Sequence, residues 1–214
     1  MKARRLLSMS ILSILSILSA LLLSSPAMAY LTISESAEIP PATYYQIGFE
    51  PQFLTDNGGG ANVTGFFDAP FSDSTAARLW LGAGVIDFNV GATFKYVPFP
   101  DIERQPAIGI RAGGFFARKS DENILTAQVA PLFSKKVNTE SGLFTPYAAF
   151  ALDFTNTKER NFTGTQFVFG SEYKTPDIPK MYFGLEVGLN LNDSYSYVSG
   201  TVTFPFDSSK GLFE

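Results

Sequence analysis

From Thr43 to Phe206 the chain alternates apolar and polar residues with a period of two, in segments near ten residues long. That period belongs to a β-strand, whose successive side chains point to opposite faces. The clearest case is Met181 to Leu191, where Met181, Phe183, Leu185, Val187, Leu189 and Leu191 share one face. Tyr182, Gly184, Glu186, Gly188 and Asn190 share the other. Phe88 to Val97 sets Phe88, Val90, Ala92, Phe94 and Tyr96 against Asn89, Gly91, Thr93 and Lys95. In Ala107–Arg118, Ile108, Ile110, Ala112 and Phe116 oppose Gly109, Arg111, Gly113 and Phe115; Leu143–Phe154 behaves alike. No window keeps the i, i+3, i+4 apolar pattern of a helix after Ala29.

Weaker segments between these complete a set of ten expected strands: 43–54, 61–71, 77–86, 88–97, 107–118, 124–135, 143–154, 165–174, 181–191 and 195–206. The connectors carry turn residues, among them Asp56 to Gly60, Ser72 to Ser74, Pro98 to Pro106 and Asn192 to Ser194. A meander of about ten strands follows, with eight as the smaller alternative. The joint at Ile86-Asp87 decides whether strands three and four are one strand or two.

The first thirty residues read differently. Lys2, Arg4 and Arg5 precede an apolar run from Leu6 to Leu23, and Ala27-Met28-Ala29 supplies a small-x-small cleavage site. This is the layout of a secretory signal, with cleavage expected after Ala29. The same run nearly reaches spanning length, but five serines dilute it. The expected layout is signal peptide 1–29, a periplasmic N-terminal segment 30–42, barrel 43–206 and a tail 207–214.

Two absences narrow the chemistry. The chain has no histidine and no cysteine. A Ser-His-Asp triad, a Cys-His pair, His-ligated zinc, disulfides and a lipid-bearing cysteine are therefore excluded. A net charge of −4 gives no basic face for nucleic acid. Gly58-Gly59-Gly60 lacks the Lys and Ser/Thr of a phosphate loop, and neither Asp56-Asn57 nor Asp121-Glu122 has calcium-loop spacing. Asp153, Glu172 and Glu186 are the carboxylates available for acid/base work, yet their spacing does not mark a catalytic pair. No enzyme activity, metal or cofactor is expected.

Alternation alone leaves open whether the apolar face points in or out. A soluble lipocalin-like barrel, holding a small apolar ligand, would expose polar faces rich in Lys, Glu and Asp. Here the polar faces are mostly Gly, Ala, Ser, Thr, Asn, Gln and Tyr, and charged residues make up only 17% of the chain. The apolar faces end in aromatics, as at Tyr45, Phe53, Phe94, Tyr96, Phe116, Phe133, Phe144 and Phe154. A lipid-facing band about 25 Å tall with aromatic girdles accounts for both facts, and only a closed barrel satisfies strand amides in lipid.

The last strand adds a resemblance. Val198 to Phe206, with Gly200, Val202, Phe204 and Phe206 in alternation, resembles the C-terminal assembly signal of small bacterial outer-membrane β-barrel proteins. Eight residues follow Phe206, and Pro205 sits inside the strand. The resemblance implies a monomeric up-and-down transmembrane barrel in the outer membrane of a Gram-negative cell. Its partners would be outer-membrane lipids, lipopolysaccharide and the assembly machinery that reads this strand.

With the apolar face outside, Glu50, Arg78, Lys95, Arg111, Asp153, Glu172 and Glu186 point inward. Arg78, Lys95 and Arg111 lie on consecutive strands, and Asp153, Glu172 and Glu186 on three others, so a basic arc faces an acidic arc across the lumen. Buried charges need partners. The expectation is a lumen largely filled by ion pairs and polar side chains, with a structural role or that of a narrow pore for small solutes.

Overall fold

Alternation of this kind closes on itself once enough strands pair. The computed structural model describes residues 31–56 and 59–207; the expected signal peptide and residues 208–214 lie outside them. Among the described residues there are eleven antiparallel strands: β1 (Tyr44–Leu54), β2 (Gly60–Ser72), β3 (Thr75–Gly84), β4 (Phe88–Phe99), β5 (Ala107–Lys119) and β6 (Glu122–Ser134). The short β7 (Val137–Thr139) is followed by β8 (Gly142–Asn156), β9 (Asn161–Lys174), β10 (Tyr182–Asn192) and β11 (Tyr197–Asp207). β7 continues the line of β6 after Lys135 and Lys136, pairing with the same neighbour, β8. The wall therefore has ten staves, as the alternation predicts, and residues 85–87 form a turn between β3 and β4.

Each strand pairs with its chain neighbours except β6 and β7, which both pair with β8; β1 pairs with β11, and the β6–β8 ladder completes an up-and-down barrel. The two ends of the wall, Tyr44 and Asp207, lie at one rim, with connectors 73–74, 100–106, 135–141 and 175–181; the far rim carries 55–56, 85–87, 120–121, 157–160 and 193–196. Pro205 pairs only toward β1: the β10 ladder stops at Thr203, so its missing N–H leaves no gap there.

The apolar faces point outward. Leu185 is 62% exposed and Phe53 57%, and Ile47, Phe49, Leu79, Leu81, Phe94 and Leu189 belong to the same outer band. Near the rim of the termini, Tyr45 stacks on Phe67 and Phe206, with ring centroids 5.7 and 5.9 Å apart. Gly200, Val202, Phe204 and Phe206 lie on this outer face, opposite in parity to the buried Ser199, Thr201 and Thr203. A soluble barrel would bury the aliphatic and aromatic face that is exposed here.

Inside, bulky aromatics are seated over glycines on the adjacent strand. Phe66 is cross-strand from Gly48, and Tyr147 from Gly170. Gly91 on β4 lies between Trp80 and Phe115, so the two rings approach across it to 6.4 Å. A Cβ at Gly91 would come 2.2 Å from the Phe115 ring, a distance no side chain tolerates. The glycines on the polar faces are thus the space that inward aromatics occupy.

Candidate functional site

The lumen is occupied by the chain itself. Residues 31–38, the stretch that sequence assigns to a segment ahead of the barrel, run inside it from the far rim back to the rim where β1 begins. Leu31 is buried with Leu54, Ile86, Ala117, Ile124 and Tyr195, all at the far end. Ile33 and Ala37 pack against Ala130, Leu132, Tyr147, Ala149 and Val168 on the β6–β8–β9 side. A turn closed by the Tyr44 amide donating to the Pro41 carbonyl leads into β1. Ser34 adopts φ +48°, a left-handed bend uncommon for a residue with a Cβ.

The wall holds this segment chiefly by its backbone. On the basic arc, Arg111 donates to the carbonyls of Ile33 (2.6 Å) and Thr32 (3.0 Å). Arg78 donates to Ser34 O (2.8 Å), and Lys95 to Ser36 O (2.9 Å) and Glu38 O (2.8 Å). On the acidic arc, Glu186 accepts from the amides of Ile33 (3.0 Å) and Ser34 (2.6 Å), and Glu172 from Ser36 N (2.8 Å). Glu50 accepts from the hydroxyls of Thr32 (3.0 Å) and Ser34 (2.5 Å). The two arcs meet the segment between them, carbonyls toward the cations and amides toward the carboxylates.

Glu35 completes the set. Its carboxylate lies 2.8 Å from Lys95 Nζ and 3.3 Å from Arg111. Arg78 pairs instead with Asp68, at 2.5 Å through Nε and 2.7 Å through its second nitrogen. It also stacks over Phe66, 4.1 Å from the centroid, while Arg111 stands 5.2 Å over Trp80. Of the seven inward charges read from sequence, six touch the segment; Asp153 does not, accepting instead from Gln128 (2.8 Å).

Asp68 and Glu35, the carboxylates that pair directly with the arginines, were not singled out by sequence. Asp68 is the cross-strand partner of Arg78 in the β2–β3 hairpin, a register that counting outward from the turn at Ser72–Ser74 would have found. Glu35 follows Leu31 and Ile33 at the same parity, a short alternation too brief to mark a strand.

The buried Glu35 carboxylate lies between Lys95 and Arg111. We expect Glu35→Gln to loosen the segment, because it leaves both buried cations short of their counter-charge. Protease access to residues 31–38, higher in Glu35→Gln than in the unaltered chain, checks this.

Beyond the segment the lumen is unequal. Beside Leu31, Trp80 and Phe115 only about 20 Å3 is free, room for about one water. At the rim of the termini a cavity of about 550 Å3 opens between the segment and the wall, lined by Glu38, Pro40, Tyr44, Glu172, Lys174 and Tyr182. Among the described residues no group of three or more carboxylates converges as a metal site would.

No protein-family model matches the chain, and no curated protein matches it. Among solved structures it is similar to an outer-membrane channel from Pseudomonas putida F1, at 10% identity and TM-score 0.49, over 82% of this chain and 100% of that one. It is also similar to the translocator domain of the autotransporter NalP from Neisseria meningitidis, at 13% identity and TM-score 0.45, over 76% and 86% of the two chains. A de novo designed transmembrane β-barrel aligns at 14% identity and TM-score 0.41, over 78% of this chain and 99% of that one. These likenesses concern the fold alone.

Proposed function

We propose that this protein is an outer-membrane β-barrel acting as a narrow pore for small solutes, closed at rest by residues 31–38. The single observation that carries the reading is the segment itself, clamped by backbone between the basic and acidic arcs. Charged groups at the lipid face of such a barrel cost about 2–4 kcal/mol at mid-depth, whereas here they line the interior. The outer apolar band supplies the surface that lipids and lipopolysaccharide would cover. In this reading the leader over 1–29 exports the chain, is cut after Ala29, and β11 serves the assembly machinery. No catalytic role is assigned: Glu50, Glu172 and Glu186 are engaged in holding the segment.

Conductance in planar bilayers tests this. The chain from Tyr30 onward should be nearly silent, and the same chain lacking residues 30–39 should conduct steadily. Silence from both would mean that wall side chains seal the lumen and the role is structural. Equal conduction from both would remove the segment as the closure.

A further inference from the structure

We propose that the lumen is a binding site for an extended acidic peptide, and that residues 31–38 occupy it as a built-in copy of that ligand. A segment that merely fills space needs side chains that pack. This one is held by eight bonds to its own backbone: three amides given to Glu186 and Glu172, and five carbonyl contacts from Arg78, Lys95 and Arg111. Those groups recognise a peptide chain as such. The wall's ladder closes independently of them through β6 and β8, although Arg78 also pairs with Asp68 and Glu186 also accepts from Tyr147 and Tyr197. Among the described residues, every hydrogen bond recorded for Arg111 goes to the segment.

The side-chain contacts then set a pattern. Leu31 and Ile33 enter separate apolar clusters, Glu50 takes the hydroxyls of Thr32 and Ser34, and Lys95 and Arg111 take the carboxylate of Glu35. The site accordingly fits an apolar, hydroxyl, apolar, hydroxyl, acid sequence that runs along the lumen with a left-handed bend at its fourth residue, as at Ser34. The cavity of about 550 Å3 at the rim of the termini gives such a chain a way in beside Lys174 and Tyr44. While the segment stays tethered through Pro40 and Pro41 it competes at an effective concentration on the order of millimolar, so a free peptide binds well only once that tether is cut.

The inference shares with the pore reading only the premise that the segment can leave. The test uses the full chain from Tyr30 with a protease site placed at Ala42–Thr43, cut after assembly in detergent. A synthetic peptide of residues 30–39, labelled at its C-terminal end, is added and anisotropy followed. Saturable binding, competed by the unlabelled peptide and about tenfold or more weaker when the position of Glu35 carries Gln, is expected. The all-D peptide should not bind, because its backbone cannot present the same amides and carbonyls. No binding to the cut barrel, with its fold verified by faster gel migration before boiling, overturns the proposal; so does equal binding of the all-D peptide. If cutting opens conductance while the peptide never binds, the pore reading stands and the peptide site falls.

Discussion

Replacing Arg111 with alanine is expected to unseat residues 31–38 and open the lumen while the barrel itself stays closed. Arg111 is fully buried, its hydrogen-bond partners are Thr32 O, Ile33 O and Glu35, and its guanidinium lies over Trp80 and Phe115. Removing it leaves two buried carbonyls without a donor and leaves Glu35 with Lys95 as its remaining close cation. Breaking a buried charged pair from one side costs about 3–5 kcal/mol. That is roughly a hundred- to a few-thousand-fold shift toward the open state. The β4–β5–β6 ladders do not use the side chain, so the unboiled band should keep its fast migration. Single-channel open probability and the gel shift, measured together, decide the point. A silent channel with a lost gel shift would make Arg111 part of the wall and not a latch. In a chain already lacking residues 30–39, the same substitution should leave conductance unchanged, since the two changes act through one contact.

The second large effect is expected at Glu186, and it should look different. Four donors converge on this carboxylate: the amides of Ile33 and Ser34 from the segment, and the hydroxyls of Tyr147 (2.7 Å) and Tyr197 (2.5 Å) from β8 and β11. An ionised carboxylate accepts at both oxygens, whereas an amide must turn its NH2 toward two donors. Glu186→Gln therefore loses two charge-assisted bonds, each about 1.5–3 kcal/mol, and brings donors face to face. Because two of the four belong to the wall, the midpoint of the heat-induced gel shift should drop as conductance rises. Arg111→Ala should move conductance with little change in that midpoint. An unchanged midpoint in Glu186→Gln would remove Glu186 as the joint between segment and wall. The tyrosines themselves depend on Gly170 and Gly188, which leave room for the rings across the strand.

Much of the wall is legible in the sequence. A strand's two faces alternate by the geometry of the backbone, so Phe183, Leu185, Val187 and Leu189 declare a shared side with no knowledge of what lies beyond it. The scarcity of charge on the other side then distinguishes lipid from water as the outer medium. The same parity puts Glu50, Arg78, Lys95, Arg111, Glu172 and Glu186 inside. The segment was not legible. Its apolar residues Leu31, Ile33 and Ala37 and its polar residues Thr32, Ser34 and Ser36 are all buried, so no face of it is marked as exposed. Pro40 and Pro41 following it resemble the start of a linker, and eight residues are short for a stave.

The strands and the residues that share each face were determined by sequence alone, because both rest on a period of two residues within one strand; that ten staves close the wall was decided by the pairing of β6 with β8. What those charges hold was decided only by the tertiary structure. Ile33 and Glu186 are 153 positions apart, and Arg78 and Ser34 are 44 apart. Backbone amides and carbonyls, which every sequence possesses equally, form most of the contacts. A partner that consists of backbone has no signature in the order of side chains; it becomes visible only when closure of the barrel brings the two arcs to either side of the chain that runs between them.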